Sequence, residues 1–416
     1  MSQTECLRLF AGYGIELEYM IVDRDSLDVR PVTDLLLGQV AGTIVNEVEM
    51  GPLCWSNELV LHVVELKTNG PARSLDGLAS VFQDGVAQVN QRLQGMNARL
   101  LGTAMHPWMD PHRETRLWPH DNSSIYATYN RIFDCRGHGW SNLQSMHINL
   151  PFCGDEEFGR LHAAIRLVLP LLAALAASSP IYGGTRSGLL DSRLEFYRHN
   201  QQKIPQIAGQ IVPEPVFSRA DYEQRILQRS YAAIAPYDPQ GILQDEWLNS
   251  RGAIARFERG AIEIRLLDLQ ECPLADLAIA ALVCEVIRAL CRETWSPLAC
   301  QQQVGTGPLA ELLVRVLQHG GDELIAAPDY LACFGLACFG HTGGPLPVSS
   351  LWQHLYTAVE AEVAPGYHAP LRQILEQGSL AQRILRALPQ RFGRRDLCQL
   401  YRQLADCLDQ GVLFAS

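Results

Sequence analysis

The stretch Gly14-Ile15-Glu16-Leu17-Glu18-Tyr19-Met20-Ile21-Val22-Asp23 decides how the chain is read. Side chains two apart in a strand share a face. Ile15, Leu17, Tyr19 and Ile21 therefore make one apolar face, and Glu16 and Glu18 stand on the other. Two such positions lie about 6.6–7 Å apart along the backbone. That is close enough for both carboxylates to serve one metal cluster, although a water-facing acidic strand has the same pattern.

Three later segments repeat the theme. In Val63-Val64-Glu65-Leu66-Lys67, Glu65 and Lys67 share a face. In Ser145-Met146-His147-Ile148-Asn149-Leu150, the polar set is Ser145, His147 and Asn149. In Ala261-Ile262-Glu263-Ile264-Arg265-Leu266, it is Glu263 and Arg265. Singly, each reads equally as a surface pair or a structural histidine. Together, Glu16, Glu18, Glu65, His147 and Glu263, flanked by Arg265, could line one polar face suited to hard divalent cations that bridge phosphate oxygens.

Around these strands the spacing predicts helices over 75–101, 158–177, 220–231 and 273–292, and further strands over 59–68, 99–104 and 144–152. Asn69-Gly70-Pro71 is a turn signal. From about Leu309 the chain reads as helical, broken by turns at Gly340 to Pro347 and Ala364 to Pro370. Strands in the first two thirds and helices after them indicate an α+β fold rather than regular βαβ winding.

Composition excludes several functions. Among 416 residues, 34 are basic and 45 acidic, a formal charge of −11. Only Lys67 and Lys203 are lysines and neither follows a glycine, so there is no phosphate-binding P-loop and no protein-kinase pattern. The acidic balance argues against nucleic-acid binding. None of the 12 cysteines forms a C-x-x-C pair, which excludes zinc ribbons and thioredoxin-type sites. The most apolar stretch, Ala163 to Ala177, contains Arg166 and Pro170 and is short for a membrane span. Met1 to Phe10 lacks a secretory leader pattern. A cytoplasmic protein with reduced thiols and no membrane partner is expected.

The ordered set GIELEYMIVD, VELKTNGP, GTAMHP, SMHINLPF, ALAASSPIYGGTRSG and IEIRLLD resembles the glutamate–cysteine ligase family, in particular its second bacterial group, the carboxylate–amine ligases. The resemblance runs from about Gly12 to Arg292. It implies a glutamine-synthetase-like fold, a curved, mainly antiparallel sheet packed by helices, with a helical C-terminal region. It also implies a catalytic core over 1–300, an extension over 301–416, ATP, two or three Mg²⁺ or Mn²⁺ ions, and a possible homodimer. The implied substrates are a small carboxylate and an amine, joined through a γ-glutamyl-phosphate as in glutathione biosynthesis.

Carried over by position, the resemblance makes Glu16, Glu18, Glu58, Glu65, His147 and Glu263 metal ligands and Arg265 the contact to the transferred phosphoryl group. Glu58 lies seven residues before Glu65, which would place it on the opposite face of one continuous strand. As a ligand it needs a loop or a bulge. Thr68, Asn69, Asn149, Tyr182 and Arg193 are candidates for substrate, with Arg193 towards an α-carboxylate, and Lys67 for the nucleotide. For Thr68, Asn69 and His106 a turn role is an equal reading. The family's usual H-x-H-x-G is SMHINLPF here, with Ser145 in place of the second histidine, which leaves the amine acceptor open. A guanidino-phosphotransferase on a related fold and a non-catalytic nucleotide- or metal-binding regulator are the alternatives.

Overall fold

The computed structural model describes residues 6–336 and 344–415. Met1 to Glu5 of the leader reading and residues 340–343 of the predicted turn lie outside the described residues.

The centre is an eight-stranded sheet. Its strands are β1 (Gly14–Asp23), β2 (Glu47–Met50), β3 (Leu53–Asn57), β4 (Val63–Thr68), β5 (Ala98–Leu101), β6 (Ser145–Pro151), β7 (Ala253–Arg256) and β8 (Ala261–Asp268). The order is β2-β3-β4-β1-β6-β8-β7, with β5 also paired to β1. Every pairing is antiparallel. The α+β class expected from the sequence is therefore the one observed.

The alternation in β1 explains the layering. Ile15, Leu17, Tyr19 and Ile21 are fully buried and join the main core with Phe82, Val86 and Val89 of α1 (Leu78–Leu93). The same core takes in the apolar side of α2 (Gly154–Val168) and of α4 (Pro273–Cys291), with α3 (Ser192–His199) introduced between them in the chain. Helix α4 packs on both α1 and α2. Burying an aliphatic side chain of this kind contributes about 1.5–3 kcal/mol. The opposite face of the sheet carries the acids.

Some boundaries differ from the sequence reading. The predicted strand 59–68 begins only at Val63, because the chain leaves β3 at Asn57 and its residues up to 62 form the loop into β4. The predicted helix over 158–177 stops at Val168, continues as a 3₁₀ turn at Leu169–Leu171 and resumes at Ala173–Ala176. Pro170 lacks the N–H that a continuous helix requires.

Beyond residue 301 the described chain is helical apart from a pair of two-residue strands at Leu324–Ile325 and Leu346–Pro347. The last helix, α5 (Arg394–Gln410), packs on β5 and α1. Arg383 and Glu271 form an ion pair with no solvent exposure. Both also hold the backbone of Phe414: Arg383 donates to its carbonyl at 2.8 Å, and its N–H donates to Glu271 at 3.1 Å. Removing one member of a buried pair leaves the other charge uncompensated. Arg383→Met is expected to lower unfolding free energy by about 3–5 kcal/mol, measured by urea denaturation.

Among the described residues, no helix is long and apolar enough to cross a membrane. The described cysteines are all free thiols.

Candidate active site

Strand register brings the acids together. Glu16 lies between Lys67 of β4 and His147 of β6, and Glu18 lies opposite Glu65. Gly14 faces Asn149, which in turn faces Glu263. A Cβ on Gly14 would stand 2.9 Å from that of Asn149, so glycine lets this row close. The ladder between β6 and β8 shifts register between Ile264 and Leu267, and Arg265 lies within that irregularity. Ligand atoms of Glu16, His147 and Glu263 fall within 4.8 Å of one another.

Hydrogen bonds fix the cluster. His147 Nδ1 lies 2.9 Å from Glu16 Oε2, and its Nε2 lies 3.0 Å from Ser145 Oγ. Ser145 Oγ and N–H both donate to Glu18 Oε2, at 2.8 and 2.7 Å. Ser145 Oγ thus stands between Glu18 and the Nε2 edge of His147, while the Nδ1 edge meets Glu16. Burial alone would lower the His147 pKa, but the bond to Glu16 and the charges of Glu18, Glu16 and Glu263 raise it. Ser145, where the related pattern has histidine, positions both Glu18 and His147. Asn149 Nδ2 donates to Glu16 at 3.0 Å. Ser56 Oγ donates to Glu65 at 2.6 Å, and Lys67 Nζ lies 3.1 Å from Glu65. Arg265 Nε donates to Glu263 at 3.1 Å, and Arg256 approaches the same carboxylate at 3.4 Å.

The carboxyls divide electrostatically. Burial raises Glu16, but the His147 hydrogen bond and the charges of His147, Lys67 and Arg265 outweigh it and hold the group at about 2. Burial and the charge of Glu16 push Glu65 up to about 7, against Lys67 and Ser56. Burial, then Glu65 and Glu18, drive Glu58 well above the ordinary carboxylate range. The cluster holds more carboxylate than the protein's own cations balance. Carboxylates with one imidazole are a donor set for hard divalent ions, so these residues fit the metals the sequence suggested.

A metal that takes the raised Glu65 carboxyl displaces its proton. Mg²⁺ binding is expected to release protons at neutral pH and to tighten as pH rises through about 7, where Glu65 titrates. Calorimetry in buffers of different ionisation enthalpy measures the release, and proton uptake would contradict the ligand assignment.

Two limbs of one cavity meet at Glu18, Glu58, His147 and Arg265. The polar limb, about 600 Å³, is lined by Glu16, Glu65, Lys67, Arg256, Arg259 and Glu263 among others. The aromatic limb, about 260 Å³, is lined by Tyr126, Tyr129, Trp140, Tyr197 and Trp247, together with Arg193. Glu58 reaches both limbs because it follows β3 in the loop before β4, which removes the objection from its spacing to Glu65. Thr68 and Asn149 border the polar limb.

Two candidates lie elsewhere. Asn69 is exposed in a turn, its Nδ2 donating to the Gly51 carbonyl at 3.2 Å. Tyr182 packs against His138 and Phe196, away from both limbs. His106 is buried with Nε2 2.7 Å from the Leu27 carbonyl and serves the fold. Arg256 and Arg259 escaped the sequence reading. The signal was present in Arg256-Phe257-Glu258-Arg259-Gly260, where the hairpin before Glu263 carries two arginines to the cavity.

The model of the family described as glutamate-cysteine ligase family 2 matches residues 13–400. A protein of Archaeoglobus fulgidus, named "Uncharacterized protein", is 32% identical over 401 residues, 96% of this chain and 99% of its own. The "Putative glutamate--cysteine ligase 2" of Bradyrhizobium diazoefficiens is 27% identical over 408 residues, 95% of this chain and 83% of its own. Two solved structures share the fold. The glutamate–cysteine ligase of Francisella tularensis, in complex with AMP, has a TM-score of 0.63 at 14% identity, covering 95% of this chain and 88% of its own. A bifunctional glutathione synthetase from Pasteurella multocida has a TM-score of 0.61 at 15% identity, covering 95% and 53%.

Proposed function

The chain belongs to glutamate–cysteine ligase family 2 and is a carbon–nitrogen ligase, and from that premise we propose that it uses ATP to activate a glutamate-like carboxylate and passes the acyl group to an amine. The observation that carries this reading is the convergence of Glu16, His147 and Glu263 on one point beside Arg265. Glu16, Glu18, Glu58, Glu65, His147 and Glu263 would hold two or three Mg²⁺ or Mn²⁺ ions. When bound, the ions reduce repulsion between the nucleotide phosphates and the attacking carboxylate.

The remaining work falls to the chain's own side chains. Lys67, Arg256 and Arg259 stand on the wall of the polar limb, where they would contact phosphate oxygens beside the metals. Arg265, anchored on Glu263, offers planar donors to charge spreading over the phosphoryl oxygens. Arg193 borders the aromatic limb, where it would take the substrate's α-carboxylate. The aromatic walls exclude water, which favours attack by the amine over hydrolysis of the acyl phosphate. Thr68 and Asn149 shape the wall of the polar limb. We extend the reading to a catalytic core over 1–300 and a helical extension over 301–416.

Phosphate release tests the proposal. ATP, Mg²⁺ and L-glutamate are combined with a panel of amino acids and simple amines, cysteine included. Amine-dependent release is expected with at least one acceptor, and its absence across the panel overturns the ligase reaction as stated. Formation of ADP and a phosphorylated guanidine, with neither phosphate release nor amide formation, would transfer the site to phosphotransfer.

A further inference from the structure

Two thiols stand side by side where the segment before β1 crosses the start of α2. Cys6 Sγ donates to the Phe152 carbonyl at 3.4 Å, and the next residue, Cys153, shares a side-chain hydrogen bond with Cys6. Both are free thiols, Cys6 exposed and Cys153 half-buried.

One carboxylate holds this approach. Glu157, on the first turn of α2, pairs with Arg8 at 2.7 Å and accepts the Leu9 N–H at 3.1 Å and the Cys153 N–H at 2.8 Å. Residues 8, 9 and 153 are thereby gathered around a single side chain, which sets Cys6 beside Cys153. At its other end the segment is anchored by Tyr13, which exchanges two backbone hydrogen bonds with Ala72, both 2.8 Å.

The segment is also a wall of the site. Leu7, Gly12, Tyr13 and Gly14 border the polar limb, as does Pro151, two residues before Cys153. The thiols therefore meet just outside the rim of that limb. What fastens the segment there is a few hydrogen bonds and the ion pair of Arg8, whose side chain is 75% exposed, and an exposed pair adds little.

We propose that Cys6 and Cys153 are a modification site at which exchange with a low-molecular-weight disulfide forms a bond that fastens this segment as the outer wall of the polar limb. One protein thiolate attacks the external disulfide, forms a mixed disulfide and expels a thiolate. The second protein thiolate attacks the protein sulfur of that intermediate and expels the other. The external disulfide leaves as two thiols, and the two cysteines give up two electrons and two protons. The hydrogen bond to Cys153 and burial push the Cys6 thiol up to about 11, with the charge of Glu157 adding to the effect and Arg8 opposing it. The exchange is therefore slow at neutral pH and quickens as pH rises.

The full chain is incubated with oxidised glutathione at neutral and at alkaline pH, alkylated, unfolded and digested with trypsin without reduction. Cleavage after Arg8, Arg136 and Arg160 releases Met1–Arg8, in which Cys6 is the sole cysteine, and Gly137–Arg160, in which Cys153 is. The two peptides are expected to appear joined, lighter by two hydrogens than their sum, faster at alkaline pH, and to separate on reduction. The oxidised protein is expected to melt about 3–5 °C above the reduced one, as a cross-link closing a loop from residue 6 to residue 153 should give. Cys6→Ser is expected to abolish both the joined peptide and the shift, and Cys153→Ser, tested separately, to do the same. Glutathione carried on Cys6 without the joined peptide overturns the proposal, as does Cys6 joined to any other cysteine. A joined peptide with no rise in melting temperature overturns the fastening of the segment.

Discussion

Glu16→Gln is expected to reduce kcat/KM for amide formation by about 10³-fold or more, about 4 kcal/mol of transition-state stabilisation. Glu16 has His147, Lys67 and Asn149 around it and shares with His147 and Glu263 a group of ligand atoms within 4.8 Å of one another. Gln keeps the shape and the contact to Asn149 but loses the charge. The melting temperature of the metal-free protein is expected to change little. Relief of the repulsion that pushes Glu65 up offsets the weakened contact with His147. The rise in melting temperature produced by Mg²⁺ in the wild type should shrink in the variant, because fewer ligands link binding to folding. A variant that turns over normally removes Glu16 from the metal set.

Arg265→Lys preserves charge and tests geometry. The wild-type guanidinium reaches Glu263 through Nε at 3.1 Å and also through Nη2, and it borders both limbs of the cavity. A planar fork can face Glu263 with one edge and a phosphoryl group with another, whereas an ammonium is a single point charge. The variant is expected to lose about 10²–10³ in kcat, with a smaller change in KM for ATP, since the nucleotide retains Arg256, Arg259 and Lys67. A rise in KM for ATP with kcat unchanged would assign Arg265 to ground-state binding instead.

Much of this site was legible from one periodicity. Glu16, Glu18, Glu65, His147 and Glu263 each stand on the polar side of a two-residue alternation, and the observed registers place those sides together. Alternation fixes which face a side chain takes, but not which strands are neighbours. The pairing of β1 with both β5 and β6 along one edge is therefore invisible locally. Glu58 was obscured because the β3–β4 loop reads as more strand: Leu59 to Leu61 are as apolar as the strands they connect. The side chains of Tyr182 and Asn69 take part in ring packing and in a turn hydrogen bond, contacts that local sequence does not reveal. The aromatic limb could not be foreseen, since Tyr126, Trp140, Tyr197 and Trp247 come from four separate segments.

The arginine hairpin also bears on how the molecule is made. Glu16 bonds His147, 131 residues later, and Glu263 follows more than a hundred residues after that. A ribosome adds roughly 5–20 residues per second, so the acids of β1, the β3–β4 loop and β4 emerge well before Arg256, Arg259 and Arg265. During that interval β6 has no β8 beside it and presents a bare strand edge. The nascent sheet is thus an acidic surface with an open margin. One late segment both supplies counter-charge and covers the β6 edge, and the open margin passes to β7, a strand of only four residues, as the site becomes complete.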